Sequence, residues 1–571
     1  MMVSTPGRRC ESASPTTSRR SWLEDDVKTC SVEGNPYPLA RIPRQLEWLL
    51  MTMSVERPSR QKLGRRTIVA LIVPAILAVP YHVSAQPSDA VHDAYVSIYS
   101  GDAIEATRQF EVLRARDPQA LPAWFGVIAA QLARLDLEES LIPSFEKELE
   151  VFITHAEQRY GRSRADAEAL FYLAQAHMLR ATYRFTWERG LWGAARDAAR
   201  AKSLSDQYLK QHPEHGDAYL SLGLYNYYAD IAPAFVKVLR VLLLLPSGSR
   251  SEGLKQIERA SREGHLFAAV ADGALATIYG TLENRFEQAI PIAERYEKRY
   301  PGNSDIRLGL ALLYAHPTVE AYDLAAAQYQ AILASATSSS RRHTYDRYRA
   351  TLGLANLRRT QWRLDESIQL LGPLIEHPLE KPAWLTPTAR LRRANYRMLL
   401  NDSTAADDAH FVLKQASMAE WHRPARDLIA AIESRRQTDE GRLYAALIPG
   451  NRLVAEDRWQ EARAIYERVA ATKPNDWQVR YRLAFLDFAR GDYEAATPAL
   501  QVIADTPSRI PDWLRAAALL NLAWCHDLGG RRTKALAIYK RIADDFDDES
   551  VAATARLGLI APYRGPVAIK R

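Results

Sequence analysis

Four times in this chain an alanine is followed twelve residues later by a proline: Ala106/Pro118, Ala201/Pro213, Ala289/Pro301 and Ala462/Pro474. Apolar or aromatic residues lie between them at helical spacing, Phe110 and Leu113 in the first copy, Tyr466 and Val469 in the last. One helix is written four times. The alanine leaves room for a second helix to cross closely, residues four and seven positions on bury the same face, and the proline ends the helix it follows. A helix-turn-helix unit of this size cannot bury its face alone, so the copies must stack on one another, and an all-α solenoid is expected. Stacking also lifts the limit that a single core would set on 571 residues.

Read in order, the first unit pairs a helix around His92–Tyr99 with one over 103–115, turning at Gly101-Asp102. Apolar spacing stays helical over 144–160 and 164–185 while the repeat wording fades. Ala201, Ser205, Tyr208 and Pro213 restore it, and Tyr219, Leu222 and Gly223 open the next unit. There the pattern breaks. In place of a partner helix come Asp230-Ile231-Ala232-Pro233, the apolar run 235–245 and the turn Pro246-Ser247-Gly248-Ser249. Repeats resume at 253–262 and continue to 333; the polar stretches 335–342 and 433–442 then bracket a degenerate group. In the most regular part Ala462, Ala496 and Ala535 stand 34 and 39 residues apart. No segment alternates Val, Ile and Thr between hairpin turns, so strands are not expected. The expected organisation is a mis-assigned or disordered leader over 1–52, a signal peptide over 53–85 and an N-terminal solenoid over 86–334 with an irregular insert near 229–250. Degenerate helical repeats follow over 343–432, then a C-terminal array over 440–547 and a terminal helix and tail over 548–571.

The net charge of +7 invites a nucleic-acid reading, so its location matters. Residues 1–85 hold 12 of the 75 Lys/Arg and 7 of the 68 Asp/Glu, which leaves 63 against 61 over 86–571. The main body lacks a net positive field to draw a phosphate backbone, and no nucleic-acid partner is expected.

Arg57, Arg60, Lys62, Arg65 and Arg66 precede the apolar run 68–79, and Val83-Ser84-Ala85 supplies small residues before Gln86. Basic, apolar and small blocks in that order are those of an export signal, so the mature chain is expected to begin near Gln86, periplasmic or secreted. The run is shorter than the ~20 residues a membrane span needs, and Pro74 and Pro80 interrupt it. Anchoring by an uncleaved signal is the alternative. Met51 and Met53 stand where such a signal would ordinarily start. Cys10 and Cys30 lie upstream, so processing leaves Cys525 alone, with no intramolecular disulfide; in the apolar segment 519–525 that thiol reads as buried and inert.

His212, Glu214, His215 and Asp217 form the best-looking metal cluster, yet they occupy an inter-repeat turn, which is polar and solvated by default. No metal site, cofactor or catalytic residue is assigned, and the chain has no His-Glu-x-x-His, paired-cysteine, Gly-x-Ser-x-Gly or phosphate-cradling glycine motif. The stretch 183–235 is rich in aromatic residues: Tyr183, Phe185, Trp187, Trp192, Tyr208, Tyr219, Tyr225, Tyr227, Tyr228 and Phe235. Adjacent helical residues cannot both face one core, so one of Tyr227 and Tyr228 is expected at the surface or in a groove. The run 235–245, with Lys237 and Arg240 as its basic side, reads either as a short buried helix or as a peripheral membrane contact.

These units resemble the tetratricopeptide repeat family. Its 34-residue unit has a large residue, then Leu and Gly or Ala on the first helix, a short Gly-Asp/Asn turn, Ala opening the second helix, an aromatic next, and a terminal Pro. Tyr219/Leu222/Gly223, Leu483/Ala484 with Gly491-Asp492-Tyr493 and Ala496, and Leu522/Ala523 with Gly529-Gly530 and Ala535 match position by position. Over one short segment, from Tyr219 to the helix near 250–264, the chain also resembles the tetratricopeptide repeat protein 39 family. The resemblance implies a right-handed α-solenoid acting as a non-catalytic scaffold for a protein or peptide partner, in envelope assembly or transport once export is added.

It further implies that first helices line the concave face. The residues two before and two after the Leu, and one three further along, point into it. Counted from Leu483 these are Tyr481, Phe485 and Phe488; from Leu522, Leu520 and Trp524. Where carboxylate-clamp members place Lys, Asn and Arg, apolar side chains stand here, Asn451 excepted, so an apolar groove for an apolar helix or extended segment is expected. Two rival readings stay open. One is a small-molecule or glycan-binding module using the aromatics of 183–235, Tyr227 and Tyr228 among them; the other is an all-helical toroidal glycosidase, which needs a convergent acid pair.

Overall fold

The computed structural model describes residues 89–565 apart from 189, 232–245, 284, 317–318, 336–340, 380–381, 507–509 and 547–548. The leader, the signal segment and the run 235–245 lie outside the described residues. Within them the regular structure is helical throughout, with twenty-four α-helices and no strand, so the chain is an all-α repeat protein.

The helix-opening alanines act as their size allows. Ala106, Ala289, Ala462, Ala496 and Ala535 are all fully buried, and four residues beyond three of them stand Phe110, Tyr466 and Tyr539, buried as well. The tyrosine rings lie over glycines of neighbouring first helices. A Cβ built on Gly450 would come within 2.4 Å of the Tyr466 ring, and one on Gly558 within 2.4 Å of Tyr539, so only the missing side chain lets the helices approach this closely. Between the helices of a unit, Gly491 takes a φ of +84°, and the Asp492 carboxylate accepts the Ala495 N–H at 3.1 Å to start the helix Tyr493–Ala504.

The break near 229–250 does not destroy its unit. The helix Ala218–Ile231 finds its partner after the insert, in Arg250–Glu263, and the two cross backbone to backbone. A Cβ on Gly253 would lie 2.5 Å from the Tyr227 nitrogen. The Tyr225 hydroxyl donates to the Pro246 carbonyl at 2.7 Å and ties down the end of the insert.

The N-terminal half is more than a row of neighbours. The Tyr99 hydroxyl donates to the Leu266 carbonyl (2.7 Å), the Asn303 amide donates to the Tyr99 carbonyl (2.8 Å), and the Tyr99 and Tyr300 rings stand 5.5 Å apart. Buried Asp217 accepts the backbone N–H groups of His265, Leu266 and Phe267 at 3.1, 3.2 and 2.7 Å, which shapes the turn that Tyr99 grips. The turn 212–217, expected to be solvated, is so at Pro213 and Glu214, while Gly216 and Asp217 are buried in a packed junction. Arg342 adds a second closure: it pairs with Asp305 at 2.6 Å and Asp346 at 3.1 Å, and reaches Asp136 at 3.8 Å.

One hydrophobic core consequently runs from Val91 to Leu357. The polar stretch 335–342 does not end it, because Arg341 and Arg342 already belong to the helix Arg341–Thr360. Leu354 and Leu357 of that helix complete the first core, while its Leu352 and Ala355 join the next. The stretch 433–442 is likewise helical on both sides of Thr438, whose hydroxyl accepts the Gly441 N–H at 3.1 Å. Beyond it the C-terminal units share a separate core from Leu443 to Ala555.

Candidate functional site

The helices Trp477–Ala489 and Asp512–Leu528 carry the expected groove residues, and the structure brings them into one line. Tyr481 and Phe485 have ring centres 6.3 Å apart, Phe485 and Phe488 6.2 Å, Phe488 and Trp524 6.1 Å. The spacing follows from sequence: residues three and four apart share a helix face, and neighbouring first helices lie side by side. The Asn521 amide donates to the Tyr481 hydroxyl at 2.7 Å, which fixes one helix against the other.

An open groove is nevertheless corrected to a buried row. Tyr481 and Leu520 are fully buried, Phe488 is 2 % exposed, and Phe485 and Trp524 are 3 % exposed. For Trp524 the cover is plain: the Tyr563 ring, beyond the last helix, stacks on it at 4.5 Å and 24°. Phe488 is shared between Trp524 and Tyr493. Burial pushes the Tyr481 hydroxyl well up from its ordinary range. Asn451, the one residue of clamp type, uses its side-chain oxygen within the array, accepting from Tyr466 (2.8 Å) and Arg482 (2.7 Å).

The aromatics of 183–235 do not converge on one platform. Tyr183 donates to Glu146, Tyr227 to Glu283 and Tyr219 to the Pro213 carbonyl, while Tyr208 pairs with His215, so the hydroxyls serve separate helix contacts. Tyr227 is fully buried and Tyr228 is half-buried against the same core, which divides the adjacent pair as helical geometry requires. Trp192 is the most exposed of the described members, at 39 %. Phe235 lies outside the described residues.

One buried ionic cluster had no sequence signal. His177 Nδ1 lies 3.0 Å from Asp197 Oδ1, and Arg180 and Arg184 donate to the same carboxylate at 2.7 and 2.6 Å. Burial by itself would raise this carboxyl; hydrogen bonds from His177 and Arg180, with the charges of Arg180 and Arg184, override it and hold Asp197 at about 2. Such a group is a fixed counter-ion rather than a proton carrier, and it ties the helix Ala167–Tyr183 to Leu191–Leu209 across the π-turn Arg184–Glu188. Nothing in a separation of twenty residues marks the pair in sequence.

Of the metal-like cluster, His215 Nδ1 is 2.6 Å from the Tyr208 hydroxyl and Asp217 is spent on backbone N–H groups. Among the described residues no three His, Cys, Asp or Glu side chains converge as ligands. Cys525 is fully buried, and burial pushes its thiol up to about 12, the state of an unreactive cysteine. A cleft of about 620 Å³ lies on the second helices Tyr493–Ala504 and Arg532–Asp545, between Thr497, Pro498, Gln501 and Lys534, Ile538. His526 of the helix Asp512–Leu528 also lines it, and none of Tyr481, Phe485, Phe488, Leu520 and Trp524 does. No helix among the described residues is long and apolar enough to cross a membrane.

Stacked helix pairs with small residues at the crossings and rings filling the gaps define a helical repeat protein. Tetratricopeptide repeat models match residues 274–340, 453–514 and 517–548. The chain carries tetratricopeptide repeats over these segments, and such repeats are those of protein–protein interaction scaffolds. No curated protein matches it. Among solved structures, a human IFIT1 dimer with m7Gppp-AAAA is 12% identical, covering 84% of this chain and 94% of its own, with a TM-score of 0.26. The TPR domain of P58(IPK) is 12% identical, covering 82% and 97%, with a TM-score of 0.21.

Proposed function

We propose that the chain is an exported, non-catalytic scaffold whose C-terminal repeats hold a protein or peptide partner in envelope assembly or transport. The observation that carries this reading is the run of repeats over 453–548, packed around a core of its own, whose first-helix surface carries one line of aromatic rings, buried here with Tyr563 over Trp524. Such surfaces recognise extended or helical segments through apolar anchors. Export rests on the order of basic, apolar and small residues ending at Ala85.

Two measurements test it. N-terminal sequencing of protein from the envelope or medium should give a start at or near Gln86; an intact 71–79 run in the mature chain would indicate an anchor instead. Photo-crosslinking in the producing cell should then yield a protein partner whose crosslinks fall within 440–565. Crosslinks confined to 89–357 would move the partner site to the other half of the chain.

A further inference from the structure

The last helix, Glu549–Ile560, completes the C-terminal core by placing Gly558 under the Tyr539 ring, and Arg532 donates to the Gly558 carbonyl at 2.6 Å. Residues 561–565 then continue without helix. Ala561, Pro562 and Arg564 are exposed, and only the side chain of Tyr563 is seated. Its ring stacks on Trp524 at 4.5 Å, the tightest contact in the aromatic row, and its backbone N–H donates to Asp527 Oδ2 at 2.8 Å. The Asp527 carboxylate is fully buried and oriented by Arg532 (3.0 Å) and the Tyr539 hydroxyl (2.8 Å). Gly565 turns the chain at a φ of +82°. One ring in a stack, one main-chain donor on a fixed carboxylate and exposed neighbours on both sides are the contacts of a bound peptide.

We propose that Tyr563 is an intramolecular ligand: the Trp524–Asp527 site takes an aromatic residue of an extended partner segment by ring stacking and a backbone N–H, and the C-terminal tail fills that site until displaced. This rests on the scaffold reading above for the partner, and on the observed packing of Tyr563 for the tail. The partner residue must be aromatic, to cover the indole. It cannot be proline, which lacks the N–H that Asp527 accepts. Tethering gives the tail an effective concentration of the order of millimolar, so it excludes ligands whose affinity is near ~100 µM and yields to tighter ones.

The test uses a fluorescent peptide of residues 559–571, followed by anisotropy against the full chain. Tyr563→Ala should take up the peptide at least tenfold more tightly than the unaltered chain. Tyr563→Phe should resemble the unaltered chain, since neither the stack nor the N–H needs the hydroxyl. A peptide carrying alanine in place of Tyr563 should not bind. Equal binding to the unaltered and Tyr563→Ala chains, or none to either, overturns the proposal. A chain ended at Ile560 guards against a folding artefact: if it and Tyr563→Ala both lose hydrogen-exchange protection over 443–555, the tail is a structural cap and the proposal falls. Should peptide binding hold while a crosslinked partner fails to compete with it, the partner binds elsewhere, which sinks the scaffold reading of this face and leaves the tail as its occupant.

Discussion

The two halves of this molecule use the same repeat grammar to make different mechanical objects. Over 443–560 each helix interlocks with the next or the one before, Tyr466 over Gly450 within a unit and Tyr539 over Gly558 of the following helix, and the array could be lengthened or shortened without changing the contact rule. Over 89–357 the same alanines and rings are overlaid by contacts between segments 167 and 204 residues apart, Tyr99 with Leu266 and Asn303 with Tyr99. The lesson is that a repeat sequence specifies each step of the stack, while a few polar side chains outside the repeat positions decide whether the stack closes on itself. The closed half should unfold as a unit; the C-terminal half should lose structure unit by unit.

The largest effect is expected inside the ring row. Phe485→Ala with Trp524→Ala should cost at least ~5 kcal/mol, because both rings are buried and each such truncation costs ~3–5 kcal/mol. A melting experiment should lose the C-terminal transition and keep that of the N-terminal half. An unchanged C-terminal melt would mean that the rings line an open groove after all.

Next in size is Asp217→Ala, which strips three backbone N–H groups of their acceptor in a buried turn and should cost ~3–5 kcal/mol. Hydrogen exchange should show protection lost together at 89–116 and 264–303, with 443–555 unaffected. Loss restricted to 210–220 would show that the closure carries no cooperativity.

Ala496→Leu sharpens the other side. Overpacking one close crossing costs ~1–3 kcal/mol and should lower protection in the units flanking residue 496 while leaving 89–357 intact. Spread of the effect into the N-terminal half would join what the cores separate.

The smallest effect is a pH dependence of the closed half. Burial brings His316, against the Phe286 ring at 4.0 Å, down from an ordinary 6.5 to about 3. The unfolded chain then binds a proton that the folded chain refuses, so stability falls as pH drops from about 6.5 toward 3. His316→Phe should flatten the slope of melting temperature against pH between 7 and 5 for the N-terminal transition alone.

Much of the fold was legible because its causes are local. Ala106, Ala289, Ala462, Ala496 and Ala535 announce close crossings, Gly101, Gly491 and Gly530 announce turns that need positive φ, and the structure uses all of them so. The candidate site was legible only in part. Tyr481, Phe485, Phe488 and Trp524 could be placed on one line from repeat spacing, but exposure depends on what lies above a side chain as well as on the face it occupies. Tyr563 sits 39 residues beyond Trp524 in a segment with no periodic pattern, and nothing in its own neighbourhood says where it folds back.

By itself, then, the sequence determined that this chain is helical, repetitive and stacked, since helix period, residue size and turn geometry act within a few residues of one another. Only the tertiary structure decided that the N-terminal half closes, that Asp197 gathers His177 and two arginines, and that the aromatic row is covered rather than open. Each of those outcomes hangs on single side chains meeting across long loops of chain, where a hydrogen bond or a ring contact of a few ångströms leaves no periodic trace.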